Sequence, residues 1–252
     1  MESAFSPAGN LVQVDLAKKA VDKGSLCLAI KCTDGVVVAA KKSPMSSLIV
    51  KESNKRIEKV SSIDGGIQLA VLSSGIYADA RHIVQKARQE ARAIHNNSII
   101  TPNATTIVEK VATYFQEKTL YINMRPFGVS TVFATYDQGI SNVFMIEPSG
   151  NYFAYNAIAI GEGSGKANLD LAKLNFSELS CNDAIPVIIQ IIHDHHTQRY
   201  KNAASNTEYE VEMGWICKDT NGQYQSVPDE LFVQNKEKKD EKEENPVVVE
   251  EE

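Results

Sequence analysis

Cysteine is scarce in this 252-residue sequence, which has four, and tryptophan scarcer still, with one. Cys27, Cys32, Cys181 and Cys217 include no CxxC pair. Neither a disulfide framework nor a zinc site is expected, and the thiols read as reduced, partly buried side chains of an intracellular protein. Long apolar runs are missing too: a stretch such as Ala184–Ile192 is far short of the roughly 20 residues that cross a bilayer. No basic start leads into an apolar stretch, so no secretory signal is read. Positive charge is not in excess, because 26 basic residues face 32 acidic ones for a net charge of −6. Residues 236–252 alone hold eight acids and four lysines, leaving the remainder near −2. That is no footprint for nucleic acid. No Gly-x-Ser-x-Gly elbow offers an esterase-type nucleophile. A membrane, secreted or nucleic-acid-binding chain is therefore not expected.

What is present is a 43% hydrophobic, 23% charged composition that can bury a core. Leu11, Val14, Ala17 and Val21 recur at helical spacing before Gly24, which predicts an amphipathic helix over 11–23 with a glycine stop. Thr33-Asp34-Gly35 separates two apolar runs, 25–31 and 36–41, as a hairpin turn would. A second strand pair is read at 55–61 and 67–73, around Asp64-Gly65-Gly66. Helices follow at 77–95, with Ala80, Val84, Ala87, Ala91 and Ile94 on one face, and through Ile107, Val108, Val111, Phe115 and Leu120. Strands return at 130–137, 141–146 and 152–160. Two more helices are read at 165–174 and 183–200, where Pro186 must sit near the start. A last hairpin turns at Asn221-Gly222, and Pro228 opens a charged helix that dissolves into the acidic end. Strands, two helices, strands, two helices, strands: that order suits two sheets stacked between two helical layers.

Two local motifs tempt and fail. Gly161-Glu162-Gly163-Ser164-Gly165-Lys166 lacks the four-residue gap of a phosphate loop, and Ala167 stands where a Ser or Thr is needed. It reads as a strand-to-helix turn. In His193-Asp194-His195-His196 only His193 and His196 share a helix face, with no further ligand positioned to complete a metal set.

Longer strings carry more. Phe5-Ser6-Pro7-x-Gly9, Gln13-Val14-Asp15-x-Ala17 with Ala20-Val21, and Asp34-Gly35-Val36-Val37 come first. Ser74-Gly75 with Ala78-Asp79-Ala80-Arg81 and Arg125-Pro126-Phe127-Gly128-Val129-Ser130 follow. Pro148-Ser149-Gly150 and Ala159-Ile160-Gly161-x-Gly163-Ser164 complete a set spanning residues 5–164. In order and spacing they resemble the alpha-type subunits of the 20S proteasome. Ser53-Asn54-Lys55-Arg56, Thr119-Leu120-Tyr121, Met145-Ile146-Glu147-Pro148, Glu210-x-Glu212-x-x-Trp215 and Thr220-Asn221-Gly222 are most similar to the alpha type-3 branch, the seventh ring position, as is the acidic tail.

The resemblance implies an α+β fold, the four-layer αββα sandwich of N-terminal-nucleophile hydrolases, in agreement with the element order. Residues 1–235 would form the domain and 236–252 a disordered or frayed tail. It also implies a non-catalytic subunit of a threonine-type endopeptidase complex, with no cofactor or metal, in the outer seven-membered ring. Partners would be other alpha subunits, beta subunits, C-terminal tails of regulatory-particle ATPases, and unfolded proteins in transit. Cytoplasm and nucleus are the expected compartments, and ubiquitin-dependent and ubiquitin-independent degradation the expected processes.

Catalytic beta subunits of the family use an exposed N-terminal Thr. Ser25 after Gly24 falls where that Thr would be, Arg56 near the catalytic Lys, and Lys41 where those subunits tend to keep an acid. An arginine stays protonated and cannot serve as a base, so Ser25 is expected to be a strand residue. Two alternatives stand beside this: a self-processing amidohydrolase using Ser25, and a homo-oligomeric scaffold outside the proteasome. For ring assembly the resemblance points to Leu11, Val14, Val21, Arg125, Pro126 and Phe127. Tyr121, Ile122, Asn123 and Met124 would form an axial channel turn, and Arg56 an activator-tail pocket. Of the family's gate cluster only Pro7 remains, since no Tyr-Asp precedes Phe5 and Leu16 replaces a tyrosine.

Overall fold

In the computed structural model, residues 5–42, 48–50, 53–61, 68–97, 103–121, 123–200 and 209–228 are described. Residues 229–252, which include the expected final helix and acidic tail, lie outside them, as do Asp64-Gly65-Gly66 and Ile122. The elements run α1 (Val12–Asp22), β1 (Cys27–Lys31), β2 (Gly35–Lys42), β3 (Ile57–Ser61) and β4 (Gln68–Gly75). Then come α2 (Tyr77–Asn97), α3 (Ala104–Leu120), β5 (Val129–Asp137), β6 (Ile140–Ile146), β7 (Tyr152–Ala154) and β8 (Ala157–Ile160). The last are α4 (Ser164–Leu171), α5 (Cys181–Tyr200), β9 (Glu210–Cys217) and β10 (Gln225–Ser226).

Two antiparallel sheets result, ordered β10-β9-β2-β1-β8 and β3-β4-β5-β6-β7. The central strands β1, β2, β4 and β5 are buried on both faces, so they read as continuous apolar runs rather than alternating ones. Alternation still sorts the side chains. Cys27, Ala29, Val36, Val38, Ala70, Leu72, Val132 and Ala134 meet between the sheets. Leu28, Ile30, Val37 and Ala39 turn the other way, toward Ile185, Ile188 and Ile192 of α5. Leu69, Val71, Val129 and Phe133 meet Ile83, Ala87, Ile107 and Phe115 of α2 and α3. Small residues dominate the middle layer, as the close approach of two stacked sheets requires. The four-layer αββα order is therefore present.

Four readings of the sequence change in the fold. The stretch 152–160 is two strands in different sheets. The Tyr155 N–H still bonds the Val143 carbonyl at 2.8 Å, while the next carbonyl, of Asn156, accepts from Lys31 at 2.7 Å, so the chain crosses between sheets there. Leu120 is 63% exposed and belongs to no core. Helix α5 begins at Cys181, which moves Pro186 into its second turn. The last hairpin forms, but through a loop longer than two residues: Trp215 pairs with Gln225 and the Gly222 N–H closes on the Cys217 carbonyl at 3.0 Å, with φ of 52° at Asn221 and 71° at Gly222.

Candidate functional site

Helix α1 ends at Asp22 with Lys23 as a right-handed C-cap, so Gly24 is not the left-handed stop that the sequence suggested. Its reason is proximity. A Cβ at residue 24 would stand 2.2 Å from the Gly75 nitrogen, and one at Gly161 would stand 2.3 Å from the Ser25 carbonyl oxygen. The close approach is stitched by hydrogen bonds. The Gly24 carbonyl accepts from the Glu162 N–H at 3.0 Å. The Ser74 hydroxyl lies 2.8 Å from the Ser25 carbonyl and 3.3 Å from that of Val21. The peptide joining Gly24 to Ser25 is thus fixed on both sides, and Ser25 is a half-buried residue in mid-chain.

Among the described residues around it, no set of groups resembles a peptidase centre. Lys41 follows Val37 and Ala39 onto the helix side of the sheet, its ammonium 5.7 Å from the Tyr209 ring. Burial, then the Arg199 charge, brings its pKa down to about 8. Arg56 stacks its guanidinium 5.1 Å from the centre of the Tyr77 ring, and its Nε is enclosed without a hydrogen-bond partner. Its backbone N–H and that of Ile57 donate to the Glu212 carboxylate at 2.8 and 3.3 Å. Those two bonds tie β9 of one sheet to the start of β3 in the other, and Lys42, on β2 beside β9, pairs with the same carboxylate at 2.6 Å. Glu212 was not marked by any sequence signal beyond its place in a motif. The pocket beside Arg56, Ser73, Tyr77 and Ala80 holds about 10 Å³, roughly space for one water. A substrate side chain does not fit. Behind it the Cys27 thiol is pushed up to about 12 by burial, so it is no nucleophile at neutral pH.

The expected assembly residues divide. Val14, Ala17 and Val21 are buried inside this subunit, where α1 packs on β4 and β5. They are part of its own fold, not a free contact face. The outward face of the helix carries Val12 and Leu16, 47% and 52% exposed, one turn apart. Half-buried Leu11 caps the helix start and bridges Phe5. Pro7 is the exposed second residue of a turn that Gly9 closes with an N–H bond of 2.8 Å to the Ser6 carbonyl.

Arg125, Pro126 and Phe127 are likewise engaged within the chain. Arg125 forms a two-pronged pair with Asp79, at 2.6 and 2.7 Å, and the Gly128 N–H adds a third bond at 2.9 Å. Burial alone would raise the Asp79 pKa, but the Arg125 hydrogen bond, the Gly128 N–H and the charges of Arg125 and His82 together hold it below 3.8. Pro126 is buried, and Phe127 packs 5.2 Å from Phe115 and 5.5 Å from Tyr114. Pro126 and Phe127 anchor the loop from inside the chain, while the Arg125 side chain stays 61% exposed. In that loop Tyr121, Asn123 and Met124 are exposed, and the Met124 N–H closes a turn on the Tyr121 carbonyl.

The two motifs set aside remain structural. Gly163, at φ 72°, caps α4 and lies directly beneath the His195 ring, which a Cβ there would strike. His196 is buried, its ring 4.3 Å from that of Tyr209.

Comparison with known proteins agrees with this geometry. The sequence profile of the family described as "Proteasome subunit" matches residues 21–213. The chain is 40% identical to the probable proteasome subunit alpha type-7 of Schizosaccharomyces pombe, over 90% of this chain and 86% of that protein. It is 36% identical to the proteasome subunit alpha type-3 of Arabidopsis thaliana, over 93% and 90% respectively. With the alpha type-3 subunit of Dictyostelium discoideum it shares 35% over 91% and 88%.

Proposed function

The chain belongs to the proteasome subunit family, and from that premise we propose that it is a non-catalytic alpha-type subunit of the 20S core particle. In this reading it assembles with the other alpha subunits in the outer seven-membered ring, at the seventh position, and stacks on beta subunits. The complex it serves is a threonine-type endopeptidase, working in cytoplasm and nucleus. The ring admits unfolded proteins and receives the C-terminal tails of regulatory ATPases.

One observation carries the non-catalytic part. A nucleophile of this family needs a neighbouring base to take up its proton, and here the Arg56 guanidinium stacks on Tyr77 while the Lys41 ammonium lies toward Tyr209. A cation that cannot lose its proton stands at the place of the shuttle lysine. Intact mass of the chain isolated from native particles tests this. The expected product retains residues 2–24, with or without Met1; a chain beginning at Ser25 would establish the amidohydrolase instead.

The channel turn proposed at Tyr121, Ile122, Asn123 and Met124 is supported by the exposure of Tyr121, Asn123 and Met124 beside the Asp79–Arg125 clamp. Arg56 stays the candidate for the activator pocket: its guanidinium stacks on Tyr77 through its face, which leaves edge N–H donors for a tail carboxylate.

A further inference from the structure

We infer that Cys32, Asp34 and Cys181 form a binding site for a thiophilic divalent metal ion of the zinc class. One sulfur of each cysteine and a carboxylate oxygen of Asp34 lie within 4.8 Å of one another. No spacing rule could announce them, because Cys32 and Asp34 sit in the β1–β2 turn while Cys181 opens α5, 147 positions beyond Asp34.

The Cys181 thiol itself contacts Cys32 and Asp34, and bonds from the backbone and from Thr33 hold the arrangement as well. The Thr33 N–H and hydroxyl both donate to the Leu179 carbonyl, at 3.0 and 3.3 Å. The Cys181 N–H donates to Asp34 Oδ1 at 2.8 Å. These bonds fasten the turn to the head of α5, so the donor set is assembled before any ion arrives. Such second contacts to a ligating carboxylate orient it, and the carboxylate keeps a further oxygen for a metal.

Donor chemistry selects the ion. Two sulfurs and one oxygen suit zinc and its soft neighbours, while calcium and magnesium require oxygen. Zinc bonds of about 2.3 Å to sulfur and 2.0–2.2 Å to oxygen place tetrahedral ligands roughly 3.5–3.8 Å apart. The three atoms need close by only about 1 Å. Both cysteines are buried in the layer between the first sheet and α5. On the other side Cys32 and Thr33 line a cleft of about 560 Å³ together with Asn156 and Phe176.

Titrating the reduced full-length chain with Co²⁺ tests the site, because thiolate ligation produces a charge-transfer absorption that Zn²⁺ abolishes by displacement. The expected result is saturation at one equivalent, with unchanged circular dichroism. Cys32→Ser and Cys181→Ser should each remove the band, and Asp34→Asn should weaken binding by roughly tenfold or more. Cys217→Ser, a buried thiol outside the trio, should keep it and serves as the control for folding. Absence of a band in the wild-type chain, a band that survives Cys181→Ser, or native chain found two hydrogens light as a Cys32–Cys181 disulfide with no metal uptake would overturn the inference. None of these outcomes bears on ring membership.

Discussion

Asp79→Ala is expected to lower the stability of the chain by about 2–4 kcal/mol, the largest effect of any single polar substitution discussed here. The carboxylate is buried and satisfies three donors, two from Arg125 and one from the Gly128 N–H. Removal strands that buried N–H, at about 1–3 kcal/mol, and ends a charge-assisted pair. The figure stays below that of a fully enclosed pair because the Arg125 side chain is 61% exposed and can return to water. Chemical denaturation should show a lower midpoint at unchanged slope. The sign with pH follows from the depressed pKa of Asp79. Its contribution is complete above its unfolded value, near 3.8, and is lost as pH falls through the lower folded value. The variant should therefore lose less stability than wild type between pH 4 and 2. A midpoint within error of wild type would mean that the clamp does not hold the loop.

Helix α1 offers the second large effect, and its two faces should respond differently. Val14→Asp with Val21→Asp places two charges in the packing against β4 and β5 without partners, which should cost well over 4 kcal/mol. That chain should not fold, and therefore should not assemble. Val12→Asp with Leu16→Asp alters only exposed positions, where changes stay within about 0.5 kcal/mol. It should leave the isolated chain's unfolding curve in place yet block incorporation into particles, because under the proposed ring assembly Val12 and Leu16 are the exposed apolar residues of the helix that a neighbour could meet. Normal incorporation of the outward variant, judged by native electrophoresis, would remove α1 from the ring contacts.

This division marks where sequence reading stops. Helical spacing identified Val14, Ala17 and Val21 as one apolar face, but periodicity cannot tell whether that face meets the same chain or another. Burial decides it, and Val12 and Leu16, one turn apart on the other side, were passed over because they broke the stripe. The sheets were legible from turn residues such as Thr33-Asp34-Gly35 and Asn221-Gly222. The crossing at Tyr155-Asn156 was not, because an extended chain that changes sheets keeps the residue pattern of one strand. Gly24 was legible as special and its reason was not: steric approach to Gly75 leaves no trace in the local sequence. Arg125 and Phe127 were marked by their motif, while the bonds that give them meaning run to Asp79, 46 residues earlier. Cys32 and Cys181 show the same limit most plainly, since their proximity is created by the docking of a turn on a helix end.

Capture of the tagged chain from native extract, followed by mass spectrometry of the intact complex, tests the central claim most directly. The account predicts a particle that contains beta-type chains and the other alpha-type chains in equal amounts, with this chain retaining residues 2–24. Recovery of the chain alone, as an oligomer of itself, or trimmed to begin at Ser25 would contradict it.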